Sequence, residues 1–565
     1  MIPRAIALLL ASLPASFACA QTTSIVNSKH NLSVSGPGVF RAESEAEVCI
    51  FCHAPHNATV TTPLWNREDS RATYLTYQSS TFEGTISQPN GSTKLCLSCH
   101  DGTVALGKVV SLGQQEIAMQ NGRRFLDSGP ALLGTNLRDD HPVSFHYDSS
   151  RGGTSAEFVP STSIPHPVQL DSNGQMQCTS CHDAHDDSKG DFLRQTQLQG
   201  QLCTSCHAPE GWNTSSHKTS VATWTGSGPD PWPHSDYANV RDNACANCHV
   251  PHNAGQPERL LQAINEDDTC LRCHSGTVAQ KNVGNDILKV SAHDVRDTTG
   301  VHDPAEDPLA MTRHVECMDC HNPHAARSGA AAAPGVPGPI TQVSGVTTTG
   351  ARTEHIQFGY ELCYKCHADA NGGTAHVPRQ IQQTNTRLEF QPSNPSFHPI
   401  EAVGRNADVP SLISPWTPSS RVACTDCHQS NDSPDAGGSG ARGPHGSSFS
   451  PLLIANYSTV DNQTESAARY ALCYRCHSRS SILGDNSFKE HRKHIVEERA
   501  ACSACHDSHG VSASQGTPTN NSHLINFDTR VVTPRNGVMR FVDQGRYRGN
   551  CTLICHGQNH DNEDY

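Results

Sequence analysis

The sequence predicts a mostly irregular fold with short α-helices and little β structure, in which apolar side chains do not fill the interior. Of its 565 residues, 35% are apolar and 5% are aromatic, and it contains 43 glycines and 35 prolines. This composition is too poor in apolar residues for the roughly four ordinary domains that the length suggests. It would also suit a disordered or a disulfide-rich protein. The arrangement of the 25 cysteines and 34 histidines decides between these readings.

The first 20 residues are interpreted as a secretory signal peptide. Arg4 precedes an apolar run at 5–13, and Ala18-Cys19-Ala20 supplies a cleavage pattern of small residues. We therefore expect an exported chain, located in the periplasm or at the outer-membrane or extracellular surface. Lipidation of Cys19 remains an alternative. No later apolar run approaches the roughly 18 residues of a membrane-spanning helix, so no transmembrane segment is expected.

After removal of that peptide, the remaining 24 cysteines fall into twelve motifs in which a histidine follows the second cysteine. The cysteine pairs are Cys49 and Cys52, Cys96 and Cys99, Cys178 and Cys181, Cys203 and Cys206, Cys245 and Cys248, Cys270 and Cys273, Cys317 and Cys320, Cys363 and Cys366, Cys424 and Cys427, Cys473 and Cys476, Cys502 and Cys505, and Cys551 and Cys555. The histidines are His53, His100, His182, His207, His249, His274, His321, His367, His428, His477, His506 and His556.

Cys-x-x-Cys-His is the attachment signal of c-type haem. On a short helix the three residues share one face, so that the thiols reach the vinyl groups of one porphyrin and the histidine meets its iron. A zinc knuckle or a redox disulfide gives no reason for a histidine after every second cysteine. Twelve covalently attached haem c groups are therefore the expected cofactors. The motif at Cys551 has three residues between its cysteines, and a looser tether is expected there.

The motifs follow one another in couples, which indicates six two-haem modules. The predicted boundaries are 21–147, 148–222, 223–300, 301–385, 386–484 and 485–565, numbered as modules one to six. The opening motif of five modules carries a further histidine three residues after its own. These residues are His56, His185, His252, His324 and His509.

A histidine at that offset stays on the near side of its own porphyrin, so it should ligate the iron of a neighbouring haem. The opening motif of module five lacks it, and its sixth ligand is left open, with His445 as the nearest downstream candidate. Other sixth ligands are expected from histidines that precede the opening cysteines of the modules, namely His30, His141, His166, His234, His314, His398 and His494. Other histidines, including His293, His355, His445 and His523, could equally be surface residues. The five methionines after the signal peptide are too few, so bis-histidine coordination should dominate.

Twelve haems along one exported chain would form a path for electrons, and no enzymatic activity is expected. The alternatives are a multihaem reductase of nitrite, hydroxylamine or a sulfur oxyanion, which needs an open iron position, and a subunit of a cytochrome filament. The formal net charge of −14 disfavours nucleic acid. It favours metal cations, or redox partner proteins with basic patches, as partners in the cell envelope, and spare histidines leave self-association open.

Several pieces of the sequence carry a family resemblance. They are SKHNLSVSGPG before CIFCHAPHNA, then CLSCHDGTVALG, DDHPVSF, CYKCH and HLINFD. With its doubled motifs, nearly the whole mature chain resembles the multihaem cytochromes c with doubled CxxCH motifs, of the cytochrome c3-like type, found in metal-respiring and related anaerobic bacteria. The resemblance implies a periplasmic shuttle, a surface conduit to an extracellular acceptor or a filament subunit, and it does not choose among them.

Overall fold

The computed structural model describes residues 24–59, 63–148, 157–233, 235–370 and 375–565. The predicted signal peptide and His234 lie outside these ranges. Within them the chain is mostly turns and loops, joined by short helices and a few short strands. The predicted irregular fold with little β structure is confirmed at this level, whereas the module boundaries remain a prediction. No helix in the described ranges has the length and apolar character needed to cross a membrane.

The described ranges contain twelve α-helices, most of them a single turn long. They are α1 (Gly91–His100), α2 (Cys178–Cys181), α3 (Gln201–Thr204), α4 (Ser216–Thr219), α5 (Val240–Asn243), α6 (Glu266–His274), α7 (Val283–Asp286), α8 (Cys317–Cys320), α9 (Gly359–His367), α10 (Thr386–Glu389), α11 (Arg479–Leu483) and α12 (Cys502–Cys505). Further attachment motifs lie on the 3₁₀ turns Cys49–Phe51, Ala244–Asn247, Cys424–Asp426 and Cys473–Arg475. Helices therefore form chiefly where cysteines are to be placed on one face.

The strands are β1 (Phe145–His146), β2 (Gln175–Met176), β3 (Ser291–Ala292), β4 (Gly345–Val346), β5 (Arg352–Thr353), β6 (Ser396–Phe397), β7 (Gly446–Ser447), β8 (Gly510–Val511), β9 (Val532–Thr533), β10 (Arg540–Asp543), β11 (Gly549–Cys555) and β12 (Gln558–Asp564). There are four two-stranded pairs in the described ranges: β1 with β2, β3 with β7 and β6 with β8 join loops that are distant in sequence, whereas β4 and β5 pair across a short connection. The remaining four strands form an antiparallel C-terminal sheet, with β11 between β10 and β12 and paired with β9 at one end. This sheet is the main departure from the predicted helical surroundings of the motifs, because it carries the last one.

One hydrogen bond gives most motifs the same local shape. The backbone N–H of the motif histidine donates to the carbonyl of the first cysteine, as in His53 to Cys49 (2.8 Å) and His506 to Cys502 (3.0 Å). This bond closes one helical turn, which brings both cysteines and the histidine to one side of the backbone. The predicted local geometry of a haem attachment site is therefore present.

Buried apolar side chains form small separate clusters rather than one core. The largest consists of Val346, Tyr360, Tyr364, Ala368, Phe390, Phe397 and Ile400, with motif residue Cys424 packed against it. Motif cysteines also border the clusters around Phe51 and around Phe527. The apolar clusters therefore lie beside the attachment sites and leave the space between the motifs to another group.

Arg67 shows how the chain fixes a motif helix. Its side chain is fully buried and donates to the carbonyls of Ser98 (3.0 Å), Ala105 (3.0 Å) and Leu106 (2.7 Å). Ser98 lies on α1 between Cys96 and Cys99. The guanidinium therefore ties the second attachment motif to the loop that follows it. It is the donor to the carbonyls of Ser98 and Leu106, whereas the carbonyl of Ala105 also accepts from the backbone N–H of Lys108 at 3.0 Å.

We expect Arg67→Met to lower the free energy of unfolding by about 2 kcal/mol, at about 1 kcal/mol for each of the two buried carbonyls, those of Ser98 and Leu106, that lose their donor. Urea unfolding of the haem-loaded protein measures this as a lower midpoint. The matched control is Arg71→Met, which removes an exposed arginine and should change the stability by less than about 0.5 kcal/mol. Equal midpoint shifts for the two variants would show that the buried guanidinium has no special role.

Candidate haem-binding sites

Ten of the motif histidines face a second histidine ring at nearly constant distance. The ring centres lie 6.1–6.3 Å apart in every case. The pairs, motif histidine first, are His53 and His185, His100 and His30, His182 and His252, His207 and His141, His249 and His324, His274 and His217, His321 and His445, His367 and His293, His428 and His509, and His506 and His491.

This distance fits two imidazoles on opposite sides of one metal ion. An imidazole nitrogen binds a metal at about 2.0 Å and lies about 1.1 Å from the centre of its own ring, which places two opposed ring centres about 6.2 Å apart. Direct stacking would bring the rings closer. The histidine pairs therefore fit an iron between them, and the neighbouring cysteines would hold its porphyrin.

The second ring nitrogen of these histidines is fixed by the backbone. Nδ1 lies 2.8 Å from the Pro63 carbonyl oxygen in His53 and 2.7 Å from that of Ala131 in His100. In His217 it lies 2.9 Å from the Pro323 carbonyl oxygen. A hydrogen bond at Nδ1 sets the tautomer that leaves Nε2 as the metal-binding atom. Many of the other paired histidines have the same contact, which is the usual second partner of a metal-bound imidazole.

Burial favours the neutral form of several of these rings, whereas at His509 the Glu389 carboxylate outweighs burial and raises the pKa of His509. Desolvation lowers the pKa of His207 and of His491 to about 3, with neighbouring histidines adding to the effect. It likewise lowers the pKa of His445 to about 3. At neutral pH such imidazoles keep the lone pair that a metal needs. Among the described residues, no second histidine ring lies at the distance of these pairs from His477, but His477 lies close enough to His398 to interact electrostatically, and burial lowers the pKa of His477 to about 4.

The pairing follows a regular rule that crosses the predicted module boundaries. The extra histidine of one opening motif faces the opening-motif histidine of the preceding module, as His252 faces His182 and His324 faces His249. For the opening motif at Cys317, the partner is His445. The second motif of a couple instead faces a histidine that precedes the opening motif of its own module, as His207 faces His141. Neighbouring modules therefore share their sites.

Three of the histidines that the sequence predicted as iron ligands do not lie opposite a motif histidine among the described residues. His56 and His166 are exposed, and Nε2 of His314 lies 3.3 Å from Glu306. Five histidines that sequence analysis did not propose as ligands, or left as equally compatible with the surface, lie in ring pairs instead. They are His217, His293, His445, His491 and His560. The sequence could have identified His217 and His293, since they precede the opening cysteines Cys245 and Cys317 at about the same separation as His398 precedes Cys424.

Attachment sites that are neighbours in sequence are also neighbours in space. Thiols of successive motifs are hydrogen-bonded at four steps, namely Cys96 with Cys178, Cys203 with Cys245, Cys270 with Cys317, and Cys363 with Cys424. Thiols interact electrostatically at the seven other steps, namely Cys52 with Cys99, Cys181 with Cys206, Cys248 with Cys270, Cys320 with Cys363, Cys427 with Cys476, Cys473 with Cys502, and Cys505 with Cys555. The twelve motifs thus form one continuous row in chain order.

Polar contacts lock neighbouring motifs together as well. Lys365, between Cys363 and Cys366, is buried and donates from Nζ to Asp319, between Cys317 and Cys320, at 2.8 Å. Because both residues lie within attachment motifs, this ion pair fixes the distance between the seventh and eighth sites. Lys365 therefore has a structural role, as the partner of Asp319 in this ion pair.

A long cavity of about 1820 Å³ runs along the second half of the row. Its walls include at least one cysteine from every motif from Cys317 to Cys555, together with His293, His491 and His509, which face three of those motifs. Such a continuous space can hold several flat groups in contact, which separate pockets could not do. It therefore fits a file of porphyrins attached to these cysteines.

The comparison with known families agrees with this geometry. The family described as the doubled CXXCH motif matches residues 171–211 and 238–279, which contain the four motifs from Cys178 to His274. No curated protein matches the sequence significantly. The resemblance predicted from the sequence is thereby confirmed, and the chain carries the doubled haem-attachment motif of the multihaem c-type cytochromes.

Proposed function

We propose that the chain binds twelve haem c groups and carries electrons along them, in chain order, within the cell envelope. When bound, each haem supplies an iron that accepts and releases one electron. The observation that carries the proposal is the unbroken succession of neighbouring thiols from the first motif to the last, hydrogen-bonded at four steps and close enough to interact electrostatically at the other seven. The protein's own contribution is to hold neighbouring sites close together, because electron tunnelling falls steeply with separation.

We infer a carrier rather than a reductase. A reductase of nitrite, hydroxylamine or a sulfur oxyanion must leave one iron position open for its substrate. The opposed histidine rings at ten motifs argue against an open position at those sites. Donors and acceptors should present basic or cationic surfaces to this acidic chain, whether the acceptor is periplasmic or extracellular.

Two measurements test this function. The intact mass and the haem content of the exported protein should correspond to twelve haems, and the oxidised protein should give only low-spin ferric signals in electron paramagnetic resonance. Fewer haems would correct the count. A high-spin signal equal to one iron per chain would contradict the pure carrier and favour the reductase.

His445 gives a sharper prediction, because it replaces the extra histidine that module five lacks. His445→Gly should convert one iron in twelve to high spin, since it removes the ring that faces His321 at 6.1 Å. Added imidazole should restore the low-spin signal. The matched control is His355→Gly, which removes an exposed histidine and should leave the spectrum unchanged. An unchanged spectrum for both variants would show that His445 is not a ligand.

A further inference from the structure

The last attachment site is built on a β-hairpin and not on a helical turn. Strand β11 ends at Cys555, β12 begins at Gln558, and the two-residue turn between them is His556-Gly557. Both turn residues have positive φ, 50° and 80°, as a tight hairpin turn requires. Three residues separate Cys551 from Cys555, so the spacing between the cysteines is an even number of positions. On a strand, an even spacing places both side chains on the same face.

On a strand, a different histidine shares the face of the cysteines. Side chains alternate along β11, so Cys551, Leu553 and Cys555 point to one side and the position after Cys555 points to the other. Residues directly opposite each other on paired strands share a face, and the partner of Leu553 on β12 is His560. His560 therefore projects between the two cysteines, on their side of the hairpin.

The contacts of His556 confirm that it faces away. Its Nε2 lies 2.6 Å from the carboxylate of Asp461, and this nitrogen is the one that would have to bind iron in the arrangement seen at the other motifs. Cys551, Leu553, Cys555 and His560 all line the long cavity, whereas His556 is not among the described residues that line it.

His560 instead has the arrangement of the other paired histidines. Its ring centre lies 6.3 Å from that of His494, within the range of the ten motif pairs. Its Nδ1 lies 2.8 Å from the Glu563 carboxylate and 2.6 Å from the Tyr565 hydroxyl, and Nδ1 of His494 lies 2.8 Å from the Glu490 carbonyl oxygen. These contacts leave Nε2 of both rings as the metal-binding atoms.

We propose that His560, and not the motif histidine His556, binds the iron of the haem attached at Cys551 and Cys555, with His494 on the opposite side. The inference rests on the proposed haem binding at this site. The role of Asp461 is then to hold His556 in the turn. The twelfth site would be a hairpin in which the ligand comes from the strand next to the one that carries the thiols.

The test uses the full-length, haem-loaded protein and three variants, namely His560→Gly, His494→Gly and the double variant. Each single variant should keep twelve haems, counted by mass, and should convert one iron in twelve from low to high spin. The double variant should also affect only one iron, because both rings face the same one. Added imidazole should reverse the change in His560→Gly. The control His523→Gly removes a histidine whose Nε2 lies 3.2 Å from Asp543, and it should have no effect.

The outcomes separate this inference from the proposed function. Twelve low-spin haems in His560→Gly, or two high-spin irons in the double variant, would overturn the assignment of His560 while leaving the haem row intact. If the Cys551–Cys555 peptide of the unmodified protein carries no haem, the proposed haem binding fails at this site, and the inference about His560 fails with it. If His560→Gly itself loses the haem, His560→Met decides, since it should retain twelve haems and show the far-red absorption of one methionine-bound ferric haem. Without that absorption the assignment fails.

Discussion

Electron flow between the two ends of the holoprotein should fall at least about 100-fold when Cys270 and Cys273 are both replaced by alanine, the equivalent of an added barrier of about 2.7 kcal/mol. These cysteines form the sixth of twelve sites. The Cys270 thiol interacts electrostatically with Cys248 of the site before it and is hydrogen-bonded to Cys317 of the site after it. Removing this haem would therefore open a gap in the row that other sites do not bridge. The current through single proteins held between two electrodes measures the effect.

The matched control removes a haem from the end of the row. Replacing Cys551 and Cys555 by alanine also removes two thiols and one haem, but the eleven remaining sites stay in contact. The current should then change by less than about tenfold, or about 1.4 kcal/mol in barrier. Equal losses in the two proteins, or an undiminished current without the sixth haem, would contradict a row used in chain order.

The local geometry of the motifs was predictable because it depends on few residues. Two cysteines and a histidine in five residues need only the hydrogen bond from the histidine N–H to the first cysteine carbonyl to share one face. The same reasoning predicted that His252 would face a neighbouring site and not its own, and the structure brings it to His182. The twelfth motif broke this expectation, since its wider cysteine spacing suits the alternation of a strand.

The upstream histidines were less predictable, because their positions depend on how loops return to the row. His314 and His166 were predicted as ligands because they precede an opening cysteine, and this position alone does not show where the loop places the side chain. His217 and His293 lie farther upstream, and their loops are long enough to place them opposite His274 and His367.

The pairing of motifs along the sequence did not reveal that one module supplies a histidine to a site of the preceding module. Because an extra histidine faces a site in the preceding module, its absence after the motif at Cys424 affects His321 and not His428. His445 completes the site of His321 instead, and His509 of module six faces His428 as the pairing rule requires. Sequence periodicity identifies the repeating module. It cannot show which module supplies the second histidine to a given site, because that depends on contacts between modules.

A chain made without haem should fail to fold, which is the largest effect that we expect. Its apolar clusters are small and border the attachment sites, and the cavity along the second half measures about 1820 Å³. Left empty and dry, such a space would cost on the order of 40 kcal/mol at about 24 cal/mol per Å³. Folded domains are stable by only about 5–15 kcal/mol. Filling the space with water instead would hydrate the surfaces that the porphyrins cover.

The measurement compares the holoprotein with a chain in which all 24 motif cysteines are alanine. The holoprotein should unfold cooperatively on heating, whereas the substituted chain should give a circular dichroism spectrum without ordered structure and no thermal transition, because haem attachment supplies the folding free energy. The protein lacking only Cys551 and Cys555 should keep its transition, since its loss is confined to the C-terminal sheet. A cooperative transition in the haem-free chain would mean that the small side-chain clusters suffice to fold it, and that the row of sites exists before the cofactor arrives.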